Sequence, residues 1–446
     1  MEGLGFVAGA GRIELRRGRR EVKKCSSVRM VASVDSLAVA SVSQGKADTQ
    51  QYVMNTYGRY DITIAEGKGC LLYDDTGKEY LDFVSGIATC ALGHASPILN
   101  NAVVEQMSKL HHVSNLFYIP QQGELAKILV ENSVADKVFF CNSGAEANEA
   151  AIKLLRKYAS EKHGNENGVI LTAKQSFHGR TLATVTATGQ TKYQKHFSPM
   201  VPGFDYVEYN NIDSLQAAFE KYGNKIIGII LEACQGEGGV VPGEKEFFMA
   251  VREFCDSIDA LLVMDEVQVG VGRTGKLWGF ENLGVVPDAF TLAKGLGGGV
   301  PIGALLCTEK ANVFGPGEHA STFGGNALSC AAGIAVMQTV TDPDFLQNVQ
   351  ERGDQIRDRL EKLKEQHPEL VADIRGWGLI SGVEFKPDSG FTSVDVIKES
   401  TANGLLLVPA GPSVVRFLPP LIVSEEEVTM AMNKFEEVVG SLLDQE

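Results

Sequence analysis

A lysine at the end of a short apolar run is well placed for covalent chemistry. The run 290–293 precedes Lys294, and a glycine-rich turn, 295–299, follows it. A lysine carried into a cleft by a buried strand loses solvent, which lowers its pKa and frees the amine for Schiff-base formation. The alternative is a surface lysine before a turn. The glycines lack the G-x-G-x-x-G spacing and no helix pattern follows them, so no nicotinamide site is predicted.

A second apolar run, 261–264, ends on Asp265, at the position where α/β proteins bind ligands. A protonated pyridine nitrogen needs a nearby anion, and that nitrogen makes pyridoxal phosphate an electron sink. We predict that Asp265 supplies the anion and that Gln268 hydrogen-bonds the phenolic oxygen. A metal site would need several converging ligands, and only Glu266 is near, pointing to the other side of a continuing strand. No metal site is predicted.

Residues 138–148 have the pattern of a strand, a small-residue turn and a helix. Ser143, Gly144 and Ala145 leave their backbone N–H groups open, and free N–H groups at a helix N-terminus bind phosphate. The alternative is an ordinary turn capped by Asn142 or Ser143. The expected buried face of the helix consists of Ala147, Ala150, Ala151, Leu154 and Leu155.

Charged and aromatic residues in three further segments complete a possible site. Phe177 and Arg180 share the segment 177–181, Glu232 and Glu237 lie within 231–240, and Arg416 lies within 414–420. An arginine is suited to holding a carboxylate through a bidentate pair. Each residue is ordinary alone, and only their joint occurrence indicates a site for small carboxylates.

Short apolar runs alternate with helical patterns through the middle of the chain. This order predicts a largely parallel α/β sheet. The predicted strands are 137–141, 168–171, 225–231, 260–264, 289–292 and 302–307.

A second, smaller α/β domain is predicted from both ends of the body. Residues 345–363 have an amphipathic helix pattern and are followed by the strand candidates 374–385 and 405–408. A hairpin is expected from 70–73 and 79–83, joined by the turn 74–77. The predicted organisation is a leader over 1–45, a first small-domain segment over 46–95, a large domain over 96–340 and a second small-domain segment over 341–446.

Composition excludes several classes of protein. The 446 residues are 44% hydrophobic and carry a net charge of −15, and residues 1–46 hold nine Lys and Arg against four Asp and Glu, so the remainder is strongly acidic. An acidic body argues against nucleic acid as a partner. Eight scattered cysteines without a CxxC pair indicate a reducing compartment. No apolar run is long enough to span a membrane.

The basic leader has the composition of an organellar transit peptide, expected to be disordered and cleaved near 29–32. The alternative is a solvated basic tail that carries no targeting signal. Composition separates plastid from mitochondrion poorly. The basic residues concerned are Arg16, Arg17, Arg19, Arg20, Lys23, Lys24 and Arg29.

With these motifs together, the chain over 52–443 resembles the class III aminotransferases, and among them most closely the acetylornithine aminotransferases. The resemblance implies a fold-type I pyridoxal-phosphate-dependent transferase, with a large domain built on a mostly parallel seven-stranded sheet and a smaller α/β domain from the N- and C-terminal segments. It implies that Lys294 carries the cofactor and that Asp265 and Gln268 contact its ring. Both roles agree with the reading from the residues.

The resemblance also implies roles for the remaining site residues. The phosphate is expected at Ser143, Gly144 and Ala145, the ring against Phe177, and Thr322 on the phosphate of a neighbouring subunit, which implies a homodimer with shared sites.

The same resemblance assigns the substrate-binding residues. Arg180 is expected to hold the substrate α-carboxylate, with Ser321 also at the substrate. Arg416 is expected to pair with Glu237 in one half-reaction and to bind 2-oxoglutarate in the other.

The implied reaction moves the δ-amino group of N2-acetyl-L-ornithine to 2-oxoglutarate, a step of arginine biosynthesis, and this favours a plastid over a mitochondrion. Ile87 lies where ornithine enzymes tend to have a Tyr that grips the free α-amine, and an apolar side chain offers an ammonium no partner. Thr89 and Cys90 depart from the usual Val-Asn, so the acyl pocket is expected to differ. The alternatives are ornithine, succinylornithine or 4-aminobutyrate aminotransferase, and a non-catalytic cofactor-binding paralogue.

Overall fold

The computed structural model describes residues 42–443 and divides the chain into two units, Met1–Gly58 and Arg59–Glu446. In the first unit the described structure includes helix α1 (Val42–Tyr52). The predicted leader over 1–45, with its expected cleavage near 29–32, lies outside the described residues except for its last four. Everything below concerns the second unit.

Strands and helices alternate along the second unit. Its strands are β1 (Ile64–Lys68), β2 (Leu71–Asp74), β3 (Glu79–Asp82), β4 (Lys137–Cys141), β5 (Val169–Ala173), β6 (Phe204–Val207), β7 (Ile226–Glu232), β8 (Cys234–Gln235), β9 (Val241–Pro242), β10 (Leu261–Asp265), β11 (Ala289–Leu292), β12 (Gly303–Cys307), β13 (Val371–Trp377), β14 (Ile380–Phe385), β15 (Leu405–Leu406), β16 (Val408–Pro409) and β17 (Val414–Phe417). Its helices are α2 (Ser85–Ala88), α3 (Pro97–Met107), α4 (Pro120–Glu131), α5 (Gly144–His163), α6 (Leu182–Ala187), α7 (Thr191–Gln194), α8 (Ile212–Tyr222), α9 (Lys245–Ser257), α10 (Ala327–Val340), α11 (Pro343–Gln366), α12 (Ser393–Ala402) and α13 (Glu425–Leu443).

The largest sheet has seven strands in the order β4-β12-β11-β10-β7-β5-β6. Strand β12 alone runs in the direction opposite to the other six. Strands β7, β10, β11 and β12 are buried along their whole length, which is why they read as continuous apolar runs. All six strands predicted for this region are present. The seventh, β6, was missed because it lies at the sheet edge, is only partly buried and contains Asp205.

The sheet brings the residues of the candidate site together at the carboxyl ends of its parallel strands. Strands β4, β5, β7, β10 and β11 all end there, and ligands of α/β proteins bind outside the carboxyl ends of parallel strands. Helix α5 starts directly after β4 and packs on the sheet through the face predicted for it. Each of the five residues expected on that face is buried: Ala147, Ala150, Ala151, Leu154 and Leu155.

Three smaller sheets complete the described part of the fold: two have four strands, in the orders β1-β2-β3-β15 and β13-β14-β17-β16, and the third is the antiparallel pair β8-β9. One hydrophobic cluster joins residues from 70–91 to residues from 349–439. The hairpin predicted around 74–77 is confirmed as β2 and β3. The single strand predicted over 374–385 is wrong: Gly378, at φ +51°, turns the chain, and β13 and β14 form an antiparallel pair.

The strand predicted over 405–408 is also divided, because its two halves join different sheets. Leu405 pairs with β3, whereas Val408 pairs with β17. The fold class is nevertheless the expected one, an α/β large domain with a mostly parallel seven-stranded sheet and a smaller α/β part. Within residues 42–443, no helix combines the length and apolar character needed to cross a membrane.

Candidate functional site

A cavity of about 440 Å³ opens at the carboxyl edge of the large sheet. Its size suits a small cofactor together with a substrate. Eight of the twelve predicted site residues are part of its wall: Ser143, Gly144, Ala145, Phe177, Arg180, Asp265, Gln268 and Lys294.

Lys294 follows the end of β11 and lies on the cavity wall. Its backbone has a φ of +42°, a left-handed conformation that costs a side-chain-bearing residue about 1–3 kcal/mol and is concentrated at functional sites. Burial is the largest influence on its pKa and lowers it, and the nearby Arg416 adds to that lowering against the charge of Glu237. The amine is therefore closer to its reactive neutral form than a surface lysine is.

Asp265, the last residue of β10, is held by a buried hydrogen-bond network. Its Oδ2 accepts from Asn148 Nδ2 at 2.7 Å and lies 2.7 Å from His178 Nδ1, while its Oδ1 accepts the N–H of Val267 at 3.0 Å. Thr291 donates to the other side of the Asn148 amide at 2.8 Å. These partners fix a carboxylate on the cavity wall, as an anion beside a pyridine nitrogen must be fixed.

His178 takes part in this network with an altered pKa. Burial pulls its pKa down, but the hydrogen bond and the charge of Asp265 outweigh burial and raise it. The His178–Asp265 pair therefore favours an imidazolium next to the carboxylate.

Gln268 on the cavity wall, Arg416 and Glu237 are joined by hydrogen bonds. Arg416, fully buried on β17, donates from Nη1 to Gln268 Oε1 at 2.6 Å and from Nη2 to Glu237 Oε1 at 2.9 Å. Burial raises the pKa of Glu237, but Arg416 and Lys294 more than reverse this, so the pKa is lowered. Because the Gln268 oxygen is occupied by Arg416, its NH₂ group remains to donate toward the cavity.

The N-terminus of α5 forms another part of the wall. Ser143 is the N-cap and accepts the N–H of Glu146, so the cap expected at Asn142 or Ser143 is Ser143. The first N–H groups of a helix have no acceptor within it, so Gly144 and Ala145 still present theirs. A Cβ on Gly144 would lie 2.7 Å from Val267 Cγ1, so only glycine allows the helix to start this close to the strand that ends at Asp265.

An aromatic pair supports the arginine at the cavity rim. Phe177 packs edge-on against Tyr193, and the Arg180 guanidinium lies 4.0 Å above the Tyr193 ring. The Phe177 N–H donates to Glu232 at 3.1 Å. Burial raises the pKa of Glu232 to about 8.

Four of the twelve predicted residues lie outside the cavity wall: Glu237 and Arg416, which pair with each other, and Ser321 and Thr322. Ser321 accepts a hydrogen bond from Asn142 at 3.0 Å, behind the wall, and Thr322 is exposed. The expected roles of Ser321 at the substrate and of Thr322 on the phosphate of a neighbouring subunit stay predictions. Of the segment expected to choose the substrate, Thr89 lies on the cavity wall, whereas Ile87 is exposed and does not.

The residues that the sequence reasoning gave no role are Asn148, His178 and Thr291. Asn148 could have been found, because it is a polar residue at a helix position whose neighbours form the apolar face. His178 and Thr291 had no such signal. Glu266 turns away from the cavity and accepts the N–H groups of Gly279 and Phe280.

No group of three or more potential metal ligands occurs in the described part of the chain. The donor set instead fits pyridoxal phosphate: an amine of lowered pKa, a fixed carboxylate, an amide NH₂, an aromatic wall and a helix N-terminus lie around one cavity.

Comparison with known proteins gives a consistent result. The family model described as aminotransferase class-III matches residues 52–439. The acetylornithine aminotransferase of Synechocystis is 60% identical over 401 residues, which cover 89% of this chain and 94% of that protein.

Solved structures resemble the chain in fold as well as in sequence. The ornithine aminotransferase of Toxoplasma gondii superposes with a TM-score of 0.87 at 30% identity, over 92% of this chain and 98% of that one. The N-acetylornithine aminotransferase of Stenotrophomonas maltophilia has a TM-score of 0.78 at 35% identity, over 90% and 100%.

Proposed function

Because the chain belongs to the class III aminotransferases, we propose that it transfers the δ-amino group of N2-acetyl-L-ornithine to 2-oxoglutarate. The products are N-acetyl-L-glutamate 5-semialdehyde and L-glutamate, and the reaction belongs to arginine biosynthesis. The observation that carries the proposal is the pairing of Arg416 with Glu237 at 2.9 Å beside the Lys294 cavity, while Arg180 lies at the cavity rim. Two arginines, one of them neutralised, suit substrates that differ by one carboxylate.

The cofactor is pyridoxal phosphate, which supplies an electron sink and carries the amino group between the two substrates. Lys294 would hold it covalently and, once displaced by the substrate amine, would move a proton at the substrate Cδ. Asp265 would keep the ring nitrogen protonated, Gln268 would donate to the phenolic oxygen, and the N-terminus of α5 would bind the phosphate. Phe177 would cover the ring.

Arg180 and Arg416 have different roles in the two half-reactions. Arg180 binds the α-carboxylate of N-acetylornithine, whose uncharged chain then passes Arg416 while Glu237 neutralises it. When 2-oxoglutarate enters, Glu237 leaves and Arg416 binds the second carboxylate. An unpaired buried guanidinium is costly, and this exchange keeps Arg416 paired in both half-reactions.

Ornithine is the principal alternative substrate, since the Toxoplasma gondii ornithine enzyme has a similar fold. Adding N-acetylornithine, ornithine and 4-aminobutyrate separately to the loaded enzyme distinguishes the candidates. N-acetylornithine should convert the bound cofactor to its pyridoxamine form fastest, with loss of visible absorbance. Faster conversion by ornithine would assign the enzyme to that substrate, and no conversion by any amine would favour a non-catalytic paralogue.

We also propose a homodimer. Leu116, Phe117 and Tyr118 are exposed, and so is Phe323 on the neighbouring segment that carries Thr322. Asn115 joins the two segments through hydrogen bonds to the carbonyls of Ser321 and Gly324. A large exposed apolar patch on one side of a soluble chain favours a protein partner, and a second copy would carry Thr322 toward a neighbouring site.

We propose the plastid stroma as the location, with the mitochondrial matrix as the alternative. The support is the basic, Ser- and Ala-containing leader and the similarity to a cyanobacterial enzyme. Fusing residues 1–45 to a fluorescent protein tests the proposal in a plant cell. Plastid fluorescence is expected, mitochondrial fluorescence would select the alternative, and diffuse fluorescence would make the leader a tail without a targeting signal.

A further inference from the structure

Glu237 lies in the tip of a short hairpin, 236–240, between strands β8 and β9. We propose that Arg375 is a positioning residue that fastens this tip to the sheet carrying Arg416, so that Glu237 leaves Arg416 by rotating its own side chain. The proposal rests on the proposed function, because it assigns a mechanical support to the exchange between Glu237 and a substrate carboxylate.

Arg375 donates two hydrogen bonds to one backbone atom of the tip. Its Nε and Nη2 both donate to the Gly239 carbonyl oxygen, at 3.2 and 2.9 Å. Its Nη1 donates to Asp373 at 3.0 Å and to Glu384 at 2.6 Å, and Ser413 donates in turn to the other oxygen of Glu384. The guanidinium is thus held on one side by carboxylates and uses its other side for the hairpin.

The sheet aligns the two arginines on either side of a glycine. Arg375 on β13 pairs with Gly382 on β14, and Gly382 pairs with Arg416 on β17. Residues directly opposite one another project from the same face of a sheet, so both arginines face the hairpin, roughly 10 Å apart across two strand spacings. Gly382 leaves the space between them open.

Val240 of the hairpin fills that space. A Cβ on Gly382 would lie 2.9 Å from Val240 Cβ, closer than side chains approach. The tip therefore contacts the sheet at three neighbouring residues. Glu237 forms an ion pair with Arg416, Val240 packs over Gly382, and the Gly239 carbonyl accepts hydrogen bonds from Arg375.

The backbone of the tip is strained where these contacts hold it. Gly239 has a φ of +114° and Val240 a φ of +51°, a conformation that is a genuine outlier for a β-branched residue. Strain of this kind persists only where surrounding contacts over-determine the backbone. Val240 is fully buried and Gly239 is bonded twice, so the strained Val240 and the glycine before it are fixed, whereas Glu237 is held through its side chain and is only partly buried.

This arrangement predicts that replacing Arg375 affects the two half-reactions unequally. If Arg375 is replaced, the tip loosens and Glu237 neutralises Arg416 less often. The half-reaction with N-acetylornithine then meets an unpaired guanidinium and slows, whereas 2-oxoglutarate supplies its own carboxylate and is less affected.

The test measures the two half-reactions separately in single turnovers, from the visible absorbance of the loaded enzyme. Arg375→Met should lower the specificity constant with N-acetylornithine about tenfold and change that with 2-oxoglutarate by less than about threefold. Amide hydrogen exchange over 236–241 should rise in the same variant. The specificity constant of Arg375→Lys with N-acetylornithine should lie between those of the wild type and Arg375→Met, because a lysine ammonium lacks the planar, forked donors of a guanidinium.

Arg357→Met is the matched control, since Arg357 donates to the carbonyl of Gly376, the residue after Arg375 on β13, and not to a carbonyl of the hairpin. It should leave the ratio of the half-reactions and the exchange at 236–241 unchanged. Gly382→Ala should reproduce the imbalance by displacing Val240, and adding Val240→Gly should restore the ratio.

Equal losses in both half-reactions of Arg375→Met, or unchanged exchange at the tip, would overturn the proposal. The wild-type enzyme in the same assay tests the proposed function independently. If it fails to convert with N-acetylornithine, the substrate assignment is wrong.

Discussion

The side-chain amide of Asn148, on helix α5, donates to Asp265 Oδ2 at 2.7 Å, and so joins the helix that starts at the predicted phosphate site to the strand that carries the predicted ring partner. The same amide donates to the His178 carbonyl at 2.8 Å and accepts from Thr291. Asn148 thereby ties three elements of the site together.

Asn148→Leu should weaken cofactor retention about tenfold or more, because Asp265 loses a donor and can turn away from the ring. Equilibrium dialysis against pyridoxal phosphate measures the effect. Thr291→Val should act in the same direction but less strongly. Thr172→Val is its control, an equally buried strand threonine bonded to the Ala187 carbonyl. If Thr172→Val weakened retention as much as Thr291→Val, general destabilisation would account for both.

Lys294→Ala should abolish the visible absorbance of the bound cofactor and reduce turnover by at least about a thousandfold, since the covalent link and the proton transfer are both lost. Absorbance spectra and single-turnover rates measure the two effects. Lys294→Arg retains a cation but forms no Schiff base, and should be as inactive. Residual turnover near the wild-type level in either variant would refute the role of Lys294.

Glu237→Ala should slow the half-reaction with N-acetylornithine about tenfold relative to that with 2-oxoglutarate, because Arg416 is left without its neutralising carboxylate. Glu237→Gln keeps the shape but not the charge and should give the same imbalance. Single-turnover rates with each substrate measure it. A uniform fall in both rates would exclude the exchange.

Phe323→Glu, and likewise Phe117→Glu, should raise the dimer dissociation constant at least about tenfold by placing charge in the exposed apolar patch. Sedimentation velocity over a concentration series measures the change. The control is Val394→Glu, a similarly exposed apolar residue on α12. A monomeric wild-type protein, or an equal effect of the control, would contradict the proposed interface.

Because of the ion pair of His94 with Asp82, at 2.6 Å, the free energy of unfolding should fall at alkaline pH. The hydrogen bond that the His94 ring donates to Asp82 raises the pKa of His94 to about 9. A raised pKa means that the contribution is complete below about pH 6.5 and disappears as the pH rises through 9. After allowance for partial exposure, it is on the order of 1–2 kcal/mol. Urea unfolding should show this loss between pH 7 and pH 10 in the wild type and a much smaller one in His94→Gln.

The parts of the site that could be predicted from sequence lie at the ends of buried strands or at the start of a helix. Lys294 and Asp265 each follow an apolar run, and the burial of those strands fixes where the next residue points. Arg375 could not be predicted in this way. Its bond to Gly239 joins residues 136 apart, and nothing near either residue indicates the other.

The fold shows the same limit. Continuous apolar runs predicted the central strands, but β6 is a partly buried edge strand with an acidic residue, and its apolar signal is too weak. The division of 405–408 between two sheets follows from tertiary pairing with β3 and β17, which local pattern does not contain.

The pairing of β15 with β3 has a consequence for how the chain is made. Strands β1 to β3 are synthesised early, yet their sheet is completed by a strand near the other end of the protein, and the neighbouring hydrogen bond from Lys78 to Ala402 joins residues 324 apart. During translation, β3 therefore keeps an unpaired edge until almost the whole polypeptide has left the ribosome. Closing so long a loop makes this sheet a late event in folding, and until then the nascent protein depends on protection of that edge against aggregation.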